Sequence, residues 1–462
     1  MPDPLPDGTA PSDAFPMPVA SIRHPTGLWV LVTTEAGLAF SLYGFESLLV
    51  LYLVSYLLHP NVADHVWGMG LFLPLIRSLY GAASPSAIAA AITGLFLSLI
   101  YATPLLGGFM ADWRLGRIRT VIIGGTLLVA GLLGLAVDQT FLLGLLLLLV
   151  GLGCTRGILP AQVGALYPGN DPRRADAYQL FVLGIQGAAI LSPALCGTVA
   201  TRYGWHAGFL TSGIGMFIGL NVYLFGCRFL PRDQPMHLRP ASVPFTPSDR
   251  KSLLALGVLL PVLAIATLSN TDIFNGYLLW GDQAYQLEIL GFRMPTSWLV
   301  SLDGFVSTFT VLGIVWFWRA WNRRRPDPGE MPKILIGSTV CSLAPLLLAL
   351  GSWLQPGLHS VSLLWGIGFH LVNDVGFGLC YATGMALFSR VAPAAISATV
   401  VASYSLHLFV GNLVAGKVAG LVTKMPWTRF WLLHVALGIA GTIALFAISR
   451  IFRQQFTRDE SA

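Results

Sequence analysis

The chain is organised by long apolar stretches broken by short polar ones. A helix crossing the hydrocarbon core needs about 20 mostly apolar residues. Twelve stretches reach that length: 27–59, 84–112, 118–137, 141–167, 177–203, 208–227, 253–284, 297–321, 334–354, 363–391, 395–422 and 430–451. The pattern predicts an all-α integral membrane protein with twelve transmembrane helices. The first, seventh and tenth stretches are long enough to tilt or to project past the bilayer. What remains divides the chain. Residues 1–26 are rich in Pro, Asp and Ser and lack a basic segment leading into an apolar core, so they read as a flexible tail rather than a cleaved leader. Residues 231–252 form a polar, Pro-containing linker, and 452–462 a second tail. Two sets of six helices are expected, at 27–230 and 253–451.

Composition supports the membrane. Of 462 residues, 55% are hydrophobic and 10% charged, against about 25% charged in soluble domains. Such a chain cannot clothe a water-facing surface. The 50 glycines and 29 prolines are tolerable in membrane helices, whose neighbours re-satisfy freed backbone groups. The net charge of +6 is a topology signal rather than a nucleic-acid footprint. With a cytoplasmic N-terminus, 20 of the 27 Lys and Arg residues fall on cytoplasmic links and tails, among them Arg114, Arg117, Arg119, Arg319, Arg323, Arg324, Arg325 and Lys333. The opposite side receives Arg77, Arg202, Arg293, Lys424 and Arg429, while Arg156 and Lys417 lie inside spans. Both termini are therefore expected in the cytoplasm, on a multi-pass protein of the cell (inner) membrane. The five cysteines lie in apolar runs and read as free. No nucleophile elbow, His-Glu-x-x-His, phosphate loop or clustered His/Cys set is present, so an enzyme, a cofactor or a metal is not expected.

Charges within the spans carry the candidate chemistry, because each costs at least roughly 2.5–3.5 kcal/mol near mid-bilayer and asks for a cavity or a partner. Glu35 and Glu46 are eleven residues apart, on one helical face with Ala39 and Tyr43 nearby. Arg156 sits one turn before Pro160, where it either pairs with Glu35, holds a substrate anion or makes a structural ion pair. On the seventh span Thr271, Asn275 and Asp282 share a face, with Trp280 beside Asp282; Asp303 lies in the eighth. His370 and Asp374 are one turn apart on the tenth, with Phe377 and Tyr381 continuing the stripe. That pair reads either as a proton relay or as a packed hydrogen bond. Lys417 follows the small-residue run 411–416, which predicts close helix contact and an acid across the interface for its ammonium. Trp29, Trp205, Trp353 and Trp427 read as interfacial anchors.

Between the second and third spans the sequence runs Gly107-Gly108-Phe109-Met110-Ala111-Asp112-Trp113-Arg114-Leu115-Gly116-Arg117-Ile118-Arg119. Physically this is a helix ending in an acid, followed by a basic turn held at an anionic surface by Arg117 and Arg119. It resembles the signature loop of major facilitator transporters, with Gly108, Asp112, Gly116, Arg117 and Arg119 at the defining positions and the extra residue common in the proton-dependent oligopeptide transporter family. Phe40-Ser41-Leu42-Tyr43-Gly44 resembles that family's first helix. Leu166-Tyr167-Pro168 and Tyr203-Gly204-Trp205 resemble its fourth-to-fifth region, Ser297-Trp298 the start of its eighth helix, and Gly411-Asn412-Leu413 its eleventh. A half-chain echo, Thr201-Arg202-Tyr203-Gly204-Trp205 against Thr423-Lys424-Met425-Pro426-Trp427, is similar to the parallel repeats of major facilitator halves. The resemblance implies proton-coupled symport of small peptides or a related solute by alternating access. Its implied partners are a peptide or small-molecule substrate, protons and the lipid bilayer, without nucleic acid, in a chain that works as a monomer.

The departures are as informative. Of the family's Glu-x-x-Glu-Arg only Glu35 remains, with Leu38 and Ala39 in place of the second acid and the arginine. Glu46 stands where an arginine often follows the Tyr-Gly pair. Leu159 replaces the lysine before the proline, a role Arg156 is placed to assume, and Phe377 stands where the tenth helix carries an acid. Asp272 replaces a frequent glutamine and Asp303 a frequent asparagine, while Asp282 matches a position often acidic and assigned to an outer gate. The alternative is therefore a divergent carrier or exporter on the same fold for a neutral or cationic non-peptide solute.

Overall fold

The computed structural model describes residues 23–110, 115–167, 171, 173–231, 247–289, 291–393 and 396–456. Nine helices precede the linker: α1 Thr26–Tyr52, α2 Pro60–Ala63, α3 Met69–Tyr80, α4 Pro85–Met110, α5 Arg117–Leu135, α6 Phe141–Arg156, α7 Ile158–Ala165, α8 Arg173–Tyr203 and α9 Trp205–Gly226. After it come α10 Pro247–Ala266, α11 Leu268–Thr271, α12 Gly276–Ala284, the strands β1 Glu288–Ile289 and β2 Phe292–Arg293, and α13 Trp298–Asn322. The chain continues through α14 Glu330–Leu343, α15 Pro345–Leu354, α16 Leu363–Val391, α17 Ser397–Ser403, α18 Leu406–Ala419, α19 Trp427–Ile451 and α20 Arg453–Phe456.

Among the described residues, 11 helical segments are long and apolar enough to cross a membrane, and each falls on one of the twelve predicted stretches. The exception is the seventh. Its expected continuous helix is broken twice, at Thr267 and between Thr271 and Gly276. Side chains compete with the ladder there. Thr267 Oγ1 donates to the Leu263 carbonyl at 2.9 Å, and Asp272 Oδ1 takes the Gly276 N–H at 3.0 Å. The fourth stretch is interrupted at Gly157, three residues before Pro160, which has no N–H to offer the Arg156 carbonyl. The eleventh breaks between Ser403 and Leu406.

Two elements were not expected. Helix α3 occupies a link read as loop, bounded by Gly68 and Gly81 at φ 82° and 65°, a left-handed geometry glycine adopts without penalty. The strands β1 and β2, two residues each, pair antiparallel around Gly291, with Glu288 opposite Arg293, a small hairpin in an otherwise helical architecture.

Helices up to residue 229 pack mainly on one another, as do those from 247 onward; α4 against α18 and α8 against α13 join the two sets. The small-residue contact expected around 411–416 is present. A Cβ on Gly94 of α4 would stand 2.5 Å from the Gly416 Cα of α18, so only glycines permit this approach. Outward faces carry exposed Leu133, Leu146, Leu183, Phe225, Leu312, Trp316 and Ile443, a surface suited to lipid. All five cysteines are free, and only Cys227 is not fully buried.

Candidate functional site

Helix α1 is gripped on its far side, and this fixes which face it turns inward. Ser41 Oγ donates to the Ser212 carbonyl at 2.6 Å and accepts the Met216 N–H at 2.7 Å, while Ser192 donates to the Phe40 carbonyl. Glu35 and Glu46 are both buried on this helix, with Tyr43 half-buried between them and tilted over Phe274 at 6.1 Å. The guanidinium of Arg156 reaches both acids electrostatically, together with Tyr101, Tyr43 and Tyr381. It lies over the Tyr101 ring at 5.0 Å. No described acid stands within 4.0 Å of it, and Arg156 Nη1 and Glu35 Oε2 lack hydrogen-bond partners among the described residues. The direct Arg156–Glu35 ion pair is therefore absent from this conformation. One cation instead sits in the field of two carboxylates, held by an aromatic face, and sequence spacing gave no sign of Tyr101.

A second polar group lies on the other set of helices. His370 Nδ1 is 2.8 Å from Asp303 Oδ1, and Nε2 is 2.9 Å from the Tyr277 hydroxyl. Tyr277 in turn meets the Tyr285 hydroxyl at 3.2 Å. His370 and Asp374 were read either as a proton relay or as a hydrogen-bonded pair packing α16, and no direct bond between them is present here. The imidazole is instead drawn across to α13 and α12, and both its nitrogens are occupied there. Asp374 still lies beside the pair, with donor atoms of Asp303, His370 and Asp374 all within 4.8 Å of one another. Asn373 orients Asp374: its Nδ2 donates to Asp374 Oδ1 at 3.4 Å, and its Oδ1 accepts from Ser269 at 2.9 Å. Asp374 Oδ2 is buried and has no partner among the described residues.

The remaining candidates separate. The break in the seventh stretch removes the shared face of Thr271, Asn275 and Asp282. Asn275 Nδ2 crosses to the Ala90 carbonyl of α4 at 2.9 Å, whereas Asp282 accepts from Thr296 at 2.6 Å beside the hairpin. Trp280 is fully buried against Tyr285 at 4.7 Å and Trp431 at 5.2 Å, which makes it a packing residue. Tyr381 stacks on Phe377 at 5.4 Å, one turn along the expected stripe. Lys417 is exposed and has no acid within 4.0 Å among the described residues, so its expected partner is not found. Of the signature loop, Gly108 closes α4, Gly116 at φ 74° precedes α5, and Arg117 and Arg119 are exposed; Asp112 lies outside the described residues. A pair the sequence reading missed is Asp272 with His434 on α19, 3.0 Å apart and both fully buried. Their 162-residue separation left no local signal.

The chain is similar to known transporters. The POT family profile matches residues 118–244. A peptide transporter of Yersinia enterocolitica, YePEPT, is 25% identical, the alignment covering 93% of this chain and 95% of that one. The uncharacterized transporter YclF of Bacillus subtilis is also 25% identical over 92% of both chains. A crystal structure of a peptide transporter POT in complex with sulfate superposes with a TM-score of 0.80 at 20% identity, covering 94% of this chain and 96% of that one. The chain is thus similar to transporters of the proton-dependent oligopeptide transporter family. It has that family's major facilitator-like frame in a multi-pass membrane protein, and its relatives are transporters rather than enzymes. Inside this frame the N-terminal helices hold one cation, Arg156, and the C-terminal helices an Asp–His–Asp group.

Proposed function

We infer that this protein is a secondary active transporter that couples proton entry to uptake of small peptides or a related small solute, by alternating access between six-helix halves at 27–230 and 253–451. The observation that carries this reading is the buried pair Glu35 and Glu46, both in the field of Arg156 and neither ion-paired to it. An acid so placed can take up a proton and release the arginine to a substrate carboxylate, then reverse the exchange on the other side. Tyr43, Tyr381, Asn275, Asp282 and Asp303 complete the path in this proposal. Twelve crossings, with the broken seventh stretch counted as one, would leave both termini in the cytoplasm of a monomer in the cell membrane. The positive-inside distribution supports that orientation.

The test is solute-driven alkalinisation outside liposomes that contain the purified protein. Dipeptides should move protons with the wild type, and Glu35→Gln should retain binding while losing proton movement. Transport without proton movement for every accepted solute would overturn the coupling.

A second reading, a carrier of neutral or cationic non-peptide solutes, is favoured by Ala39, Glu46 and Leu159, which stand where the resembled family's pattern has basic groups. In a thermal-shift screen, stabilisation by amines and not by dipeptides would select it.

A further inference from the structure

Apart from the transport reading, the group formed by Asp303, His370 and Asp374 poses a problem of charge. Two carboxylates lie close together inside the membrane, and among the described residues no lysine or arginine stands within 4.0 Å of either. A buried carboxylate pair needs compensating positive charge. A proton alone is an incomplete answer. Asp374 is 5% exposed and its Oδ2 has no partner: as a carboxylate oxygen it lacks a donor, and as an acid O–H it would lack an acceptor. A heavier cation at that oxygen resolves both the charge and the missing contact.

We propose that Asp303, His370 and Asp374 form a binding site for a divalent transition-metal ion of the zinc type. One imidazole nitrogen and two carboxylates match the donor preference of such ions, and two negative charges balance the ion. Zinc–ligand bonds of about 2.0–2.2 Å place tetrahedral ligand atoms roughly 3.3–3.5 Å apart. The donor atoms here span 2.8 Å for the Asp303–His370 pair and no more than 4.8 Å overall, so side-chain adjustments alone bring them to that spacing. The surrounding contacts are those that orient metal ligands. His370 Nε2 already faces Tyr277, so with the metal on Nδ1 the ring donates its Nε2–H to the tyrosine oxygen, and Tyr277 turns its own proton to Tyr285. Asn373, fixed by Ser269, holds the other oxygen of Asp374. Three protein donors leave a fourth position open, and the Asp303 side chain, 18% exposed, marks the side from which it is reached.

The experiment is calorimetric titration of ZnCl2 into full-length, tag-free protein in detergent after stripping with a chelator, followed by X-ray absorption at the zinc edge. One equivalent should bind, with one imidazole and oxygen ligands in the absorption spectrum. Asp374→Asn and His370→Gln should each weaken binding at least tenfold, and Tyr277→Phe, which removes only an orienting contact, by about ten- to a hundredfold. Size-exclusion profiles identify any variant that fails to fold; for such a position Asp374→Glu, which keeps the carboxylate, should retain binding. Absence of stoichiometric binding in the wild type would overturn the proposal, as would unchanged affinity in folded Asp374→Asn. Because the readout is metal binding, failure here leaves the transport assay untouched.

Discussion

Single residues show how the same side-chain type takes different work in different surroundings. Trp280 and Tyr277 sit three positions apart at the start of α12. The tryptophan packs its ring into an aromatic core, whereas the tyrosine hydroxyl bridges His370 and Tyr285. Trp280→Ala should therefore destabilise the protein by about 3–5 kcal/mol in denaturant unfolding. If Trp280 instead lined the transport path, the change would appear in KM with stability kept. Asp327, in the link between α13 and α14, accepts from Lys333 Nζ at 2.6 Å, from the Gly329 N–H at 2.8 Å and from Asn322 at 3.2 Å. The hydrogen bond from Lys333 leads in holding its carboxyl below the usual carboxylate range. A depressed folded value means that its stabilisation is present above the ordinary value of about 4 and is lost as pH falls through the folded one. The protection factor of the Gly329 amide, its exchange rate taken relative to the intrinsic rate at the same pH, should thus hold at neutral pH and fall as the pH drops below about 4. Asp327→Asn should show faster exchange already at pH 7.

Elements are held by contacts that no local pattern encodes. The break in the seventh stretch is stabilised on both sides by Asp272, whose Oδ1 caps α12 and whose Oδ2 meets His434 of α19. Removing one partner of a buried pair leaves the other uncompensated, at roughly 3–5 kcal/mol. His434→Ala should lower the unfolding free energy by that amount, and His434→Ala with Asp272→Ala should be less damaging than the sum of the two. The α4–α18 interface makes the opposite demand, for the absence of side chains. Gly416→Leu would drive a side chain into Gly94 and the Ala90 carbonyl, at about 1–3 kcal/mol or more from overpacking, readable in the same unfolding assay.

For the whole molecule, most of the hydrogen bonds that join the two sets of helices among the described residues lie toward one end, while Gln186 Nε2 donates to Thr308 Oγ1 at 3.1 Å nearer mid-span. Ser297 donates to the Pro193 carbonyl at 3.2 Å, Trp298 Nε1 to the Ala194 carbonyl at 3.0 Å, and Asn275 to the Ala90 carbonyl at 2.9 Å. In the proposed orientation that end faces outward, where these bonds would act as an outer gate. Trp298→Phe, which removes the indole donor, should lengthen the distance between spin labels at Arg202 and Arg293 in double electron–electron resonance; an unchanged distance would mean these bonds do not hold the gate. The sequence alone determined the membrane environment, eleven of the helices within a few residues, the close Gly416 contact and the resemblance to peptide transporters, because each follows from local apolar length or from contiguous motifs. It also located the ionisable groups, because any charge in an apolar run stands out. Which of them meet was decided only by the tertiary structure. His370 turned from its helical neighbour Asp374 to Asp303, Arg156 settled over Tyr101 rather than on Glu35, and the seventh stretch broke where Asp272 found Gly276 and His434. Helical periodicity fixes the face a side chain occupies, but the partner it finds there belongs to another helix, and only the packing of helices far apart in sequence brings that partner within reach.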